Sequence, residues 1–107
     1  MTVVHTVTLK FRPETAESVV GKLAAALDQL GPQSNAIHFQ HGCDLGIREG
    51  NADYAINAVF ADEETFLAYM ASAQHQRIIS DLVTPHLQAR SAVQFVGTDS
   101  ASPPPNP

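Results

Sequence analysis

The chain opens with alternating apolar and polar side chains, reading TVVHTVTLKF over positions 2–11. Alternation with a period of two, in a segment rich in β-branched residues, predicts a β-strand. The more apolar face of that strand carries Val3, His5, Val7, Leu9 and Phe11. His5 is therefore expected on the face that packs against the rest of the protein.

A helical spacing follows this strand. Pro13 and Glu14 suit a first helical turn, because proline fits there and an acidic side chain faces the positive end of the helix dipole. Apolar residues then recur at steps of three and four, at Val19, Val20, Leu23, Leu27 and Leu30. The spacing predicts an amphipathic helix of about five turns, which Gly31-Pro32 should end.

Two more strands are predicted, separated by a polar, glycine-containing loop over residues 44–52. The first strand is predicted over 35–43 and the second over 53–60. Their two apolar faces carry Ile37, Phe39, His41 and Cys43 in the first and Tyr54, Ile56, Ala58 and Phe60 in the second. Tyr54 is therefore expected to point inward, like His5.

The second half of the chain predicts a broken helix. Asp62 and Ser72 are expected N-caps, since a side-chain oxygen there can accept from the free N–H groups of the first turn. The segment after Ser72 has its apolar stripe at His75, Ile78, Ile79, Leu82 and Val83. His75 should therefore point inward, and the break at Ser72 should bring Tyr69 near it.

Pro85 is expected to end this helical segment, and a last short strand is predicted over 91–96. Residues 98–107, TDSASPPPNP, have no apolar side chains to bury and predict a disordered tail. The folded domain is therefore placed at residues 1–97.

The element order β-α-β-β-α-β predicts a ferredoxin-like α+β fold, with helices on one face of a sheet and the second helix broken. The opposite face is predicted to carry Val4, Thr6, Thr8, Ala55, Asn57, Val59, Ala92, Gln94 and Val96. A solvated sheet face usually carries more Lys and Glu. We therefore expect this face to meet the sheet of an identical subunit; the alternative is a bare face rich in threonine.

Composition narrows the possible partners. The 107 residues carry six Lys+Arg against eleven Asp+Glu, a net charge of −5. This balance argues against nucleic acid or an anionic membrane as partner. The single Cys43 cannot form an internal disulfide, and no His or Cys spacing fits a metal site, so we expect a cytoplasmic protein without metal or other cofactor.

Four pieces of the sequence together resemble the stress-responsive A/B barrel (Dabb) family over residues 2–96. They are the opening VVHTVTLKF, the strand DYAINAVF, the acidic helix start ADEE, and the spacing of Tyr69 and His75 with five residues between them. The resemblance implies a small dimeric α+β barrel, in which two ferredoxin-like sheets pack face to face.

A polyketide cyclase of that family implies where a site would lie. By that resemblance His75 and Tyr69 would be catalytic, and His5, a further pocket histidine, would be the third catalytic residue. The pocket would lie between sheet and helices, and its wall would include Tyr54, Leu23, Ala24, Leu27, Val7 and Ile79. Tyr54 replaces a histidine of the cyclase, and the three helix positions replace aromatic residues, so the wall is aliphatic and smaller.

Two function classes follow from this arrangement. A neutral His75 could take a proton from carbon next to a carbonyl while Tyr69 donates to the developing oxyanion, as in enolisation or aldol cyclisation of a small, largely apolar compound. Alternatively, Tyr69 and His75 are a packed, hydrogen-bonded pair in a non-catalytic stress-responsive dimer. This second hypothesis predicts no cavity of about 300 Å³ or more beside the pair. A heme or redox-linked monooxygenase of similar architecture has no support beyond the fold.

Overall fold

The computed structural model describes residues 1–98, which form four strands and a set of helical segments on one side of them. The elements in chain order are β1 (Thr2–Phe11), α1 (Glu17–Gln33), β2 (His38–Cys43), β3 (Tyr54–Phe60), α2 (Glu63–Ala71), α3 (Ala73–Ile78), a π-helical turn (Ile79–Val83), a 3₁₀ turn (Thr84–His86) and β4 (Leu87–Gly97). The predicted tail, except for Thr98, lies outside the described residues.

The four strands form one antiparallel sheet in the order β2-β3-β1-β4. The chain thus has the ferredoxin-like α+β fold that the element order predicts, and the second helix is broken at Ser72 as expected. β1 lies inside the sheet, between β3 and β4, and its alternate residues from Val3 to Phe11 are all buried. The predicted inward face of β1, including His5, is confirmed.

The core lies between α1 and the inner faces of β1 and β3. Leu23 and Phe60 have no exposed surface, and Leu27 and Tyr54 are 2% exposed. Burial of a large apolar side chain contributes roughly 1.5–3 kcal/mol, so these residues are a main source of the fold's stability. They also fix α1 against the sheet and thereby set the width of the space in which a site can form.

The ends of α1 differ from the prediction. Residues 13 and 14 form a turn, and the helix begins at Glu17. It also continues through Gly31 and Pro32, because a proline near the end removes only one bond of the helical ladder. The Ser34 hydroxyl donates to the Gly31 carbonyl at 2.6 Å, and the chain then turns at Asn35, which has a φ of 62°. Asparagine tolerates this left-handed conformation better than most residues.

The last strand is longer than predicted, and the prediction of which side chains lie on each face of the sheet was wrong by one residue. In the antiparallel register Gln94 lies opposite His5, and Phe95 lies opposite Val4. The outer side of β4 therefore carries Ser91, Val93 and Phe95 instead of Ala92, Gln94 and Val96. The segment SAVQFV has apolar residues at both odd and even positions, so alternation alone cannot show which face of the strand is buried.

Candidate functional site

A cavity of about 220 Å³ lies between the inner face of the sheet and the broken helix. It brings together the three predicted catalytic residues, His5, Tyr69 and His75. Its full lining is His5, Val7, Leu9, Ile56, Tyr69, Met70, His75, Gln76, Ile79, Val83 and Arg90. The wall is mainly aliphatic, with two imidazoles, one phenol and one guanidinium among its polar groups.

The break at Ser72 shapes this cavity. The backbone of Ser72 is extended, and its hydroxyl oxygen accepts from the His75 N–H at 3.2 Å, which starts α3. α2 starts in the same way, with Asp62 accepting from the Thr65 N–H at 2.7 Å, so both predicted N-caps are confirmed. As a result, the rings of Tyr69 and His75 lie with their centroids 4.7 Å apart.

His5 is buried and held from the neighbouring strand. The Gln94 side-chain N–H donates to its Nδ1 at 2.8 Å, which places the imidazole proton on Nε2. Burial, followed by the nearby His75 and Arg90, lowers the pKa of His5 to about 4. The ring is therefore neutral at neutral pH and has one N–H to donate.

His75 is also buried, with 9% of its surface exposed. Burial lowers its pKa from the ordinary value; the Met70 carbonyl acts in the opposite direction, and the positive charge of Arg90 lowers it further. Its Nδ1 is buried, and no residue of the described chain forms a hydrogen bond with it. A buried nitrogen without a partner is costly and uncommon.

Tyr69 remains protonated at neutral pH, because burial raises its pKa to about 12. Its ring contacts both histidines, at centroid distances of 4.7 Å to His75 and 6.2 Å to His5. Within residues 1–98, however, no hydrogen bond joins Tyr69 to His75, so the pair is in contact without being bonded. The phenol O–H and the Nε2 of the imidazole therefore remain available to another group.

The cavity volume bears on the two function classes. A volume of about 220 Å³ lies below the limit of about 300 Å³ that the packed-pair hypothesis sets for this region. The same hypothesis also requires a hydrogen bond between Tyr69 and His75, and the absence of this bond contradicts that requirement. Any ligand of this cavity must therefore be small.

The other predicted lining residues are divided between this cavity and the surrounding core. Val7 and Ile79 line it. Leu23 and Leu27 do not reach it and are packed in the core. Ala24 lines a separate cleft at the first half of α1, where its small side chain leaves space.

Tyr54 lies outside the cavity as well, in a hydrogen-bonded chain that the sequence did not predict. Its hydroxyl lies 2.6 Å from Nδ1 of His41, and Nε2 of His41 lies 2.7 Å from the Asp28 carboxylate. Since the carboxylate accepts the Nε2 proton, the Tyr54 O–H donates to Nδ1. Burial, followed by Cys43 and Asp28, raises the pKa of Tyr54 to about 12. The chain links α1, β2 and β3.

Sequence reasoning missed several residues of the site, among them two polar residues of β4. Arg90 lines the cavity and Gln94 holds His5. Arg90 pairs with Leu9 in the sheet. The predicted strand began at Ser91 and therefore did not include Arg90. Only the pairing of β4 with β1 reveals both residues, because Gln94 and His5 are 89 positions apart in sequence.

The model of the stress responsive A/B barrel domain, Dabb, matches residues 3–96 of this chain. The chain belongs to the Dabb family. Several solved structures share its fold. One is a dimeric ferredoxin-like protein of unknown function from Thermobifida fusca, with 28% identity, coverage of 89% of this chain and 90% of that chain, and a TM-score of 0.82.

Two more distant structures share the fold. A Dabb protein from Mesorhizobium loti has 13% identity and a TM-score of 0.75, covering 92% of this chain and 98% of its own. A hydroxynitrile lyase from Passiflora edulis has 16% identity and a TM-score of 0.74, covering 92% of this chain and 95% of its own. Polyketide cyclisation is not a function stated for any of these three proteins, so they give no support to the closer resemblance to that enzyme.

A search of curated proteins found no match. No helix within residues 1–98 is long and apolar enough to cross a membrane. The same part of the chain has no group of three or more His, Cys, Asp or Glu side chains placed to hold a metal ion.

Proposed function

We propose that the cavity between His5, Tyr69 and His75 binds a small, largely apolar carbonyl compound and transfers a proton to or from it. The observation that carries this proposal is the contact of Tyr69 and His75 without a hydrogen bond between them. Two buried polar rings that do not satisfy each other are available to a ligand in the cavity.

His75 acts as the base in this proposal. Its lowered pKa keeps the imidazole neutral at neutral pH, which is the form that accepts a proton. With the proton on the buried Nδ1, the lone pair of Nε2 faces the substrate. The proton comes from carbon next to a carbonyl in an enolisation, or from a hydroxyl in the cleavage of a carbon–carbon bond.

His5 and Tyr69 stabilise the negative charge that develops on the substrate oxygen. The Gln94 side chain directs the His5 proton to Nε2, and Tyr69 keeps its O–H because its pKa is about 12. A neutral imidazole and a phenol are suitable hydrogen-bond donors to an enolate or alkoxide oxygen. Arg90, at the same cavity, adds positive charge. The hydroxynitrile lyase among the structural neighbours supports carbonyl chemistry on this fold by analogy alone.

The test uses two compounds that are small enough to enter a cavity of about 220 Å³. Exchange of the central protons of acetylacetone into D2O, followed by NMR, reports enolisation; cyanide release from acetone cyanohydrin reports carbon–carbon cleavage. Loss of a general base lowers rates by about 10²–10⁴-fold, so His75→Ala should remove most of the protein-dependent rate in whichever reaction the protein accelerates. His38→Ala, at an exposed histidine outside the cavity, should leave it unchanged. An unchanged rate in folded His75→Ala protein would rule out this role.

A second candidate is a non-catalytic Dabb protein whose Tyr69 and His75 only fill the core. The cavity volume of about 220 Å³ favours it, because ligand sites usually measure about 300–1,000 Å³. It predicts that neither probe is turned over above the buffer rate and that His75→Ala changes stability alone.

We infer that the protein is a homodimer joined through the outer face of its sheet. The dimeric relative from Thermobifida fusca supports this inference. So does the composition of the face, on which Val93 and Phe95 are 53% and 50% exposed. Apolar residues grouped on a sheet face are commonly buried by a second copy.

A further inference from the structure

A second cleft, of about 730 Å³, lies between the first half of α1 and the ends of β1 and β2. It shares no lining residue with the cavity of about 220 Å³ at His75. Its apolar wall is formed by Phe11, Val20 and Ala24, and its positive charges come from Lys10 and Arg12. The volume is within the range of small-molecule sites.

Gly21 is the least expected residue of this wall. It lies inside α1, where glycine weakens a helix relative to alanine. Close packing against another element is the usual reason for a helical glycine, but a Cβ at Gly21 would meet nothing within 4 Å. Its small size instead leaves the cleft open, together with Ala24 one turn later.

The polar groups at the cleft favour an anion. Neither Lys10 nor Arg12 has a carboxylate within 4.0 Å in the part of the chain that the structure describes. The Oγ1 of Thr15, another lining residue, is buried without a hydrogen-bond partner. α1 also begins at the cleft, and its N-cap, Ala16, offers no side-chain acceptor to the first turn, whose N–H groups attract negative charge.

Two carboxylates also line the cleft, Glu17 and Asp53. Asp53 accepts the backbone N–H of Phe11 at 2.8 Å, so one of its oxygens is already occupied by the protein. Glu17 is exposed at the first residue of α1. The anion preference therefore depends on the two cations, which makes them the residues to test.

We propose that this cleft is a binding site for a small amphipathic anion, a compound with an apolar ring or short alkyl chain and one acidic head group. The apolar part lies against Phe11, Val20 and Ala24. The head group pairs with Lys10 and Arg12. This site is independent of the chemistry proposed for the cavity at His75.

The test of the site is a fluorescence titration with 1-anilinonaphthalene-8-sulfonate, an aromatic anion; the chain contains no tryptophan that would interfere. Gly21→Leu should abolish the fluorescence increase, since the new side chain fills the cleft and should also strengthen the helix. Ala25→Leu is the matched control, because Ala25 is exposed on the same helix and does not line the cleft. Equal dye affinity in wild-type and Gly21→Leu protein would overturn the site.

The preference of the cleft for an anion is tested with the same dye and with two competing ligands of equal chain length, one charged and one neutral. Replacement of both cations, Lys10→Gln with Arg12→Gln, should weaken dye binding about tenfold. Decanoate should displace the dye at concentrations at which decanol does not. Equal displacement by decanol, or unchanged dye affinity of the double variant, would overturn the anion preference.

Discussion

Three histidines of this chain differ through their partners rather than through their positions in the sequence. His41 uses both ring nitrogens, on Tyr54 and Asp28. His5 has Nδ1 occupied by Gln94, and the buried Nδ1 of His75 has no partner among the described residues. Satisfied buried groups mainly contribute stability, whereas unsatisfied ones are candidates for ligand binding. The three environments therefore support a structural role for His41 and a functional role for His75.

His5 should make the stability of the protein dependent on pH. Its pKa is about 4 in the folded protein against 6.5 for the free side chain, so the unfolded chain binds a proton between these values and the folded one does not. Stability from this residue is therefore complete above pH 6.5 and is lost as the pH falls toward 4, by roughly 3 kcal/mol at pH 4. Urea unfolding from pH 7 to pH 4 measures the loss.

His5→Gln is the control for this prediction, because glutamine does not titrate and the carboxylates of the protein are unchanged. The difference in unfolding free energy between wild type and variant should narrow or change sign as the pH falls. Parallel curves for the two proteins would contradict the pKa of about 4.

The histidines also show what single residues reveal from sequence. Alternation in β1 places His5 inward, and the helical stripe places His75 inward, as the structure has them. The partners could not be predicted in this way: Gln94 reaches His5 from 89 positions away, and His41 contacts residues on two other elements. Periodicity assigns a side chain to a face of its own element, while hydrogen-bond partners depend on register and on packing between elements.

At the scale of elements, the two N-caps of the broken helix have the same local chemistry and different consequences. Asp62 starts α2 through the N–H of Thr65, which does not line the cavity, whereas Ser72 starts α3 through the N–H of His75 itself. The Ser72 cap therefore couples helix formation to the position of the imidazole. The sequence predicts both caps, because capping depends on residues within one helical turn.

Ser72→Ala should lower the unfolding free energy by about 1 kcal/mol and displace the His75 ring from Tyr69. Asp62→Ala should cost a similar amount and leave His75 in place. Urea unfolding measures the stability, and the NMR resonances of the His75 imidazole report its position. Unchanged His75 resonances in Ser72→Ala protein would show that other contacts, and not this cap, position the ring.

The boundaries of elements were less predictable than their existence. α1 passes through Gly31 and Pro32, since the Ser34 hydroxyl satisfies the Gly31 carbonyl at its end. A Cβ at Gly31 would lie 3.0 Å from the Phe39 ring, so this glycine serves close packing on β2 instead of stopping the helix. β4 extends beyond its apolar core because its length is set by pairing with β1 along nearly the whole strand.

For the whole molecule, the outer face of the sheet is the proposed dimer interface. It joins Val4, Val93 and Phe95 with a polar pair, in which the Asn57 amide donates to the Thr6 hydroxyl at 2.9 Å. Because this pair is hydrogen-bonded within one subunit, a partner can cover the face without leaving the two groups unsatisfied. The corrected phase of β4, which places Phe95 on this face, makes it more apolar than the sequence had indicated.

Light scattering at micromolar concentration should therefore give a mass near twice the 11.5 kDa of one chain. Val93→Lys should shift the mass to that of the monomer, since it puts a charge with no partner into the apolar part of the proposed interface. Val96→Lys is the matched control: Val96 is exposed on the same strand, but its register partner Val3 belongs to the inner face. Wild-type protein at 11.5 kDa would contradict the dimer itself. If the Val93→Lys protein is still a dimer, the interface lies on another surface of the protein. An edge-to-edge or helix-mediated contact, for example, would not bury the side chain at position 93.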